Sequence, residues 1–126
     1  MNELVCLELA VALWIAHVVA QAIFAGPALG VDYLSSARDA KPEAKGVYYP
    51  RASRALANYV ENFAPFAATD LALFFTHHPT GLGATIWIVA RIVYLPLYLG
   101  GVPKLRTLAW VASIVGLLMM LAQLAF

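Results

Sequence analysis

Arg51-Ala52-Ser53-Arg54-Ala55-Leu56-Ala57-Asn58-Tyr59-Val60-Glu61-Asn62-Phe63-Ala64-Pro65-Phe66 is the stretch whose reading decides the fold. Arg51, Arg54, Asn58 and Glu61 follow one another at spacings of 3, 4 and 3 residues. At about 100° per residue they fall within an arc of about 80°, a single polar stripe on a helix. The surrounding chain says where that helix lies. Of 126 residues, 63% are hydrophobic and 12% charged, against roughly 45–50% and 25% in soluble domains. The mean hydropathy is +0.78. So little polar surface excludes a water-soluble monomer and indicates an integral membrane protein. A polar stripe in a membrane has to face a partner or a cavity, because lipid solvates neither.

Working outward, the apolar runs cover residues 4–31, 52–76, 82–101 and 105–126. Each holds about 20 residues or more, enough to cross ~30 Å of hydrocarbon as a helix. Period-2 alternation is absent, and a barrel needs at least about eight strands. The expected fold is therefore all-α, a four-helix transmembrane bundle forming one domain over residues 1–126. Between the first two runs lies a charged segment from Asp32 through Arg38, Asp39, Lys41, Glu43 and Lys45 to Arg51. His77-His78-Pro79-Thr80-Gly81 and Val102-Pro103-Lys104 make the other two turns. Met1-Asn2-Glu3-Leu4 has no basic n-region, and the run behind it is too long for an h-region, so no cleaved signal is expected.

Four spans place both termini on one side. Arg38, Lys41, Lys45, Arg51, Arg54, Lys104 and Arg106 all fall on the other, and the eighth basic residue, Arg91, lies inside a span. The positive-inside rule makes the 32–51 loop cytoplasmic and both termini non-cytoplasmic.

The third run carries its own stripe: Trp87, Arg91, Tyr94, Tyr98 and Gly101, spaced 4, 3, 4 and 3. The two stripes should face each other. Counted from the cytoplasmic ends of their runs, Glu61 lies at a depth of roughly 13 Å and Arg91 at roughly 15 Å. The expectation is a buried Glu61–Arg91 ion pair that locks the bundle. Arg51, Arg54, Asn58, Tyr94, Tyr98, Lys104 and Arg106 converge nearer the cytoplasmic mouth. Cations, hydroxyls and an amide in a partly dry site suit an anionic ligand bearing carboxylates. Snorkelling to lipid phosphates would account for Arg51, Lys104 and Arg106, but not for Asn58 or the two tyrosines.

The formal net charge of +1 excludes a broad basic face for nucleic acid. One cysteine, Cys6, excludes an internal disulfide and a cysteine-rich metal site. His77 and His78 alone make a poor metal site. His17 reads as a packed or hydrogen-bonded side chain between helices. Gly26-Pro27, Pro65 and Pro96 should bend or distort their helices. Asp70 lies half a turn off the Glu61 stripe, and no role follows from its position.

The Arg51–Phe66 stretch resembles the second-helix signature of the MAPEG family, membrane-associated proteins in eicosanoid and glutathione metabolism. Ala90-Arg91-Ile92-Val93-Tyr94-Leu95-Pro96-Leu97-Tyr98, followed by Leu105-Arg106-Thr107, resembles that family's third helix and its junction to the fourth. The resemblance spans essentially the whole chain and has the look of a bacterial member, which would sit in the inner membrane. It implies a homotrimer of four-helix subunits that binds glutathione between neighbouring subunits near the cytoplasmic face. It also implies a lipophilic electrophile as the second substrate, arriving from the bilayer. By motif, Arg54, Asn58 and Glu61 match the glutathione-contacting residues of the second helix, with Arg51 beside them. Tyr94 and Tyr98 match positions lining the site. Arg106 matches the arginine that stabilises the glutathione thiolate and is the catalytic candidate. Arg38 matches a first-helix arginine supplied by the adjacent subunit. Asn62 departs from the tyrosine of leukotriene C synthase-like members, and Thr107 from the serine of prostaglandin E synthase-like members. Pro103 also lies within a Tyr98–Arg106 spacing that differs by one residue from the eukaryotic synthases.

The activity so implied is that of a glutathione-dependent transferase or peroxidase. Two other readings stand beside it. One is a non-catalytic membrane binding or scaffold protein with the same bundle. The other is a small multidrug-type transporter, whose first-helix acid Glu8 could mimic, although Glu8 lies too near the end of its span for a midplane proton site.

Overall fold

The computed structural model describes residues 2–79 and 81–126. Thr80, in the expected His77–Gly81 turn, lies outside the described residues, as does Met1. The described chain is helical: α1 (Glu3–Leu29), a single turn α2 (Val31–Leu34), α3 (Tyr48–Phe75), α4 (Gly81–Leu99) and α5 (Pro103–Ala125). α1 packs chiefly on α3 and α4 chiefly on α5, with α3 joining the two pairs. By length and composition, α1, α4 and α5 are the helices apolar enough to cross a membrane. The 28-residue α3 is long enough, but its stripe of charges lowers its hydropathy.

Local chemistry explains where the helices begin and end. Asn2 caps α1, its side chain accepting from Val5 N at 2.9 Å. This satisfies one of the four orphan donors of the first turn. The apolar run expected to reach residue 31 breaks at Gly30, whose φ is 88°. α3 begins at Tyr48, four residues before the expected start, because Tyr48 stacks on Phe24 of α1 at 5.2 Å. Pro50 falls in that first turn, where its missing N–H costs nothing. α3 and α4 each remain one helix through Pro65 and Pro96.

α4 ends in a Schellman motif. Val102 N bonds Leu97 O at 3.0 Å, Gly101 N bonds Tyr98 O at 3.1 Å, and Gly101 has φ 70°. α3 ends the same way through His78 N to Leu73 O and His77 N to Phe74 O. There the left-handed position is held by His77 at φ 58° instead of a glycine.

The core combines aromatic stacking with close helix contact. Phe66 of α3 lies parallel to Trp87 of α4, with centroids 3.9 Å apart. Cys6, Ala10, Leu73, Ala84, Ile88 and Met120 fill the space around them, so Cys6 is a packed residue. The Tyr59 hydroxyl donates to Ala10 O and ties α3 to α1. α4 and α5 touch through their backbones: a Cβ added at Gly116 would sit 2.5 Å from Gly83 O. Small residues permit this approach, and dispersion then holds the helices together where lipid offers little hydrophobic drive.

Candidate functional site

The two stripes face each other along the α3–α4 seam. Near the loop end, Arg54 Nε donates to the Tyr98 hydroxyl at 3.2 Å. One turn deeper, Arg91 Nη2 donates to Asn58 Oδ1 at 2.9 Å. α5 closes the third side. The Arg106 guanidinium lies over the Tyr98 ring at 4.6 Å, and Tyr94 meets Tyr98 edge-on at 5.6 Å. Between these groups opens a cleft of about 430 Å³.

Arg54, Asn58, Glu61, Tyr94, Tyr98 and Arg106 all line this one cleft. Arg51 lies beside it, in an adjoining hollow of about 190 Å³ shared with Arg54, Tyr98 and Arg106. Its Nη1 donates to Leu99 O at 3.0 Å, satisfying a carbonyl that the Schellman motif leaves open. Arg51 thus caps α4 from the neighbouring helix. Arg38 lies outside the cleft of its own chain. It follows α2 with φ 59°, and its Nε and Nη2 bond Leu34 O at 3.2 and 3.1 Å. Lys104 is exposed and borders a separate shallow groove with Thr107 and Leu108.

The expected Glu61–Arg91 ion pair is not formed. Arg91 is fully buried and bonds Asn58, while Nε and Nη1 have no hydrogen-bond partner among the described residues. Glu61 is exposed and faces the cleft. The reason is helix registry. α3 begins at Tyr48 and α4 ends at Leu99, so the depths differ from those counted along the apolar runs. Counted again at 1.5 Å per residue, Arg91 is roughly 12 Å deep, Asn58 roughly 15 Å and Glu61 roughly 20 Å. Asn58 therefore lies nearer the level of Arg91 than Glu61 does. In place of a carboxylate, two aromatic faces pack against the buried cation: Tyr94 at 4.3 Å and Tyr59 at 5.3 Å. Tyr59 in turn stacks on His17 at 4.4 Å, and His17 Nδ1 lies 2.7 Å from Leu13 O.

Sequence reasoning did not place three cleft residues, Ala57, Thr107 and Trp110. The signal for Trp110 was present, since it follows Arg106 by four residues and so shares its helix face. Among the described residues, no group of three or more His, Cys, Asp or Glu side chains gathers as a metal set. In chemical terms the cleft offers two guanidiniums, two phenols, a carboxamide and one carboxylate, with an indole at the α5 wall. Such a set can hold a zwitterionic ligand with more than one carboxylate and can stabilise an anion close to Arg106.

The sequence model of the MAPEG family matches residues 4–126. The chain belongs to the MAPEG family. MAPEG proteins are membrane proteins associated with glutathione, of transferase and peroxidase type. The three apolar helices fit that membrane setting, and the match takes in every helix of this MAPEG chain and the whole cleft. No curated protein and no solved structure matches the chain.

Proposed function

We propose that the protein is a membrane-bound, glutathione-dependent transferase or peroxidase that activates the glutathione thiol for attack on lipophilic electrophiles. The observation that carries this reading is the convergence of Arg54, Asn58, Tyr94, Tyr98 and Arg106 on one cleft, with Glu61 as its single acid. Glutathione carries two carboxylates, one ammonium and a thiol. Arg54 and the Asn58 amide suit the carboxylates, and Glu61 suits the ammonium. A volume of about 430 Å³ falls within the roughly 300–1,000 Å³ of small-molecule sites.

Arg106 is the catalytic residue of this proposal. A thiol of pKa about 8.5 is only a few per cent ionised at neutral pH. A guanidinium stays protonated throughout and favours the thiolate when close to sulfur. The thiol proton leaves to solvent and the sulfur forms a bond to the electrophilic carbon, whose leaving group departs with the bonding pair. With a hydroperoxide, the same thiolate takes the terminal oxygen. The alkoxide released picks up a proton, and a second glutathione converts the sulfenic acid to disulfide and water.

In the same proposal α3 is a fourth span, and residues 1–126 form one domain whose spans are α1, α3, α4 and α5. The molecule is a homotrimer in a bacterial inner membrane, with the 32–51 loop cytoplasmic and both termini on the far side. Arg38 reaches the cleft of an adjacent subunit. The cation asymmetry of the loops supports the orientation.

Turnover of a chromogenic electrophile with glutathione by the purified protein in detergent tests the activity. Arg106→Ala should lower kcat/KM on the order of 10²-fold without changing the melting temperature. Glutathione binding without turnover of any electrophile would support the non-catalytic reading instead.

A further inference from the structure

Arg91 is the most buried charge in the protein, and the proposed chemistry gives it nothing to do. It is fully buried and does not line the cleft. Its guanidinium is wedged between Tyr94 at 4.3 Å and Tyr59 at 5.3 Å. Its one hydrogen bond among the described residues goes to Asn58 Oδ1 at 2.9 Å. Taking such a charge out of water is costly, and a carboxylate partner would offset more of that cost than an amide does. Its placement therefore calls for a reason beyond bundle stability.

The reason lies in what a guanidinium cannot do. It has five N–H donors and no acceptor. A carboxamide beside it can present only its oxygen, because an amide nitrogen facing those donors would leave two sets of N–H groups opposed. Arg91 therefore fixes which end of Asn58 faces the interior. Asn62 Nδ2 supports the same orientation from within α3, bonding Asn58 O at 2.8 Å and approaching Oδ1 at 3.4 Å. With Oδ1 engaged on the dry side, Nδ2 and its two hydrogens are the end left for the cleft that Asn58 lines.

We propose that Arg91 is a positioning residue for the cleft: from behind, it locks the Asn58 carboxamide so that two N–H donors, and no acceptor, meet a ligand carboxylate. This rests on the glutathione reading of the cleft and adds to it the means by which a neutral residue is made a committed anion receptor. Tyr94 shares the arrangement, because it both packs on Arg91 and lines the cleft. Mobility of Arg91 would be transmitted to two cleft residues at once.

The test compares two substitutions of Arg91 in the full-length protein in detergent, with glutathione affinity read by calorimetry and folding by circular dichroism and melting. Arg91→Lys keeps a side chain that only donates. Arg91→Gln has an acceptor as well, so it stops dictating which way Asn58 faces. The expected result is a dissociation constant within roughly threefold of wild type for Arg91→Lys. For folded Arg91→Gln it should be weaker on the order of tenfold, the scale of one hydrogen bond to a charged group. Equal losses in both variants, or no loss in Arg91→Gln, would overturn the proposal.

A second reading needs no variant of Arg91. The Asn58 side-chain amide resonance, assigned by its disappearance in Asn58→Ala, should shift as glutathione saturates wild-type protein. A resonance that stays in place while glutathione binds would contradict the positioning role. Wild-type protein that binds no glutathione would defeat the reading of the cleft itself. Binding without the Lys–Gln difference defeats only the role of Arg91.

Discussion

The α3–α4 seam holds together in two different ways along its length. In the half remote from the loop, Phe66 lies flat on Trp87 at 3.9 Å, and both side chains are fully buried. In the half nearer the loop, the same helices meet through Arg54 and Tyr98 at 3.2 Å, beside an open cleft. One half is sealed by shape and dispersion; the other is propped by directional polar contacts that leave room for a ligand. Asn58 and Arg91 mark the boundary, where a fully buried guanidinium bonds a side chain that lines the cleft. The lesson is that stability and recognition are segregated along one helix pair, so each should be breakable without the other.

The largest effect should come from the sealed half. Trp87→Ala removes the ring that stacks on Phe66 and should destabilise the bundle by about 3–5 kcal/mol. Equilibrium unfolding in detergent reads that loss, and a cost below ~1 kcal/mol would mean the stack is not the anchor. Next is Gly116→Ala, whose Cβ would meet Gly83 O at 2.5 Å and Trp87 N at 2.9 Å. Both obstacles are backbone, so α4 and α5 must part, at about 1–3 kcal/mol by the same assay. The open half should respond differently. Tyr98→Phe deletes the hydroxyl that receives Arg54, and should weaken glutathione binding by about three- to tenfold while leaving the unfolding midpoint nearly unchanged. The smallest effect belongs to neither half. His77 holds a left-handed cap at φ 58°, so His77→Gly should stabilise by ~0.5 kcal/mol with no effect on binding.

Much of this arrangement was legible in the residue order. Hydrophobic runs marked the long helices, and the 3–4 spacing of Arg54, Asn58, Tyr94 and Tyr98 put these side chains on stripes that face each other in the structure. Periodicity reports which residues share a face; it does not report the level at which two helices meet. That is why Glu61 was paired with Arg91 when Asn58 holds it. The error came from counting depth along apolar runs, while α3 extends one turn further on the strength of the Tyr48–Phe24 stack. The role of Arg51 was hidden for a related reason. A C-cap carbonyl such as Leu99 O exists only once the end of α4 is known. His77 was equally silent, because its left-handed position carries no glycine to announce it. Spacing alone could have supplied Trp110, four residues after Arg106, and Ala57, three after Arg54 and four before Glu61.

The central claim is that the open half of the seam is a glutathione site, and thermal unfolding tests it most directly. The purified protein would be melted with and without millimolar reduced glutathione, alongside Arg54→Ala. Arg54 is exposed, so its loss should leave the fold intact. A ligand present at 100 times its dissociation constant stabilises the native state by about 2.7 kcal/mol. The account predicts a clear rise in the wild-type melting temperature that disappears in Arg54→Ala. An equal rise in both proteins, or none in a folded wild type, would contradict it.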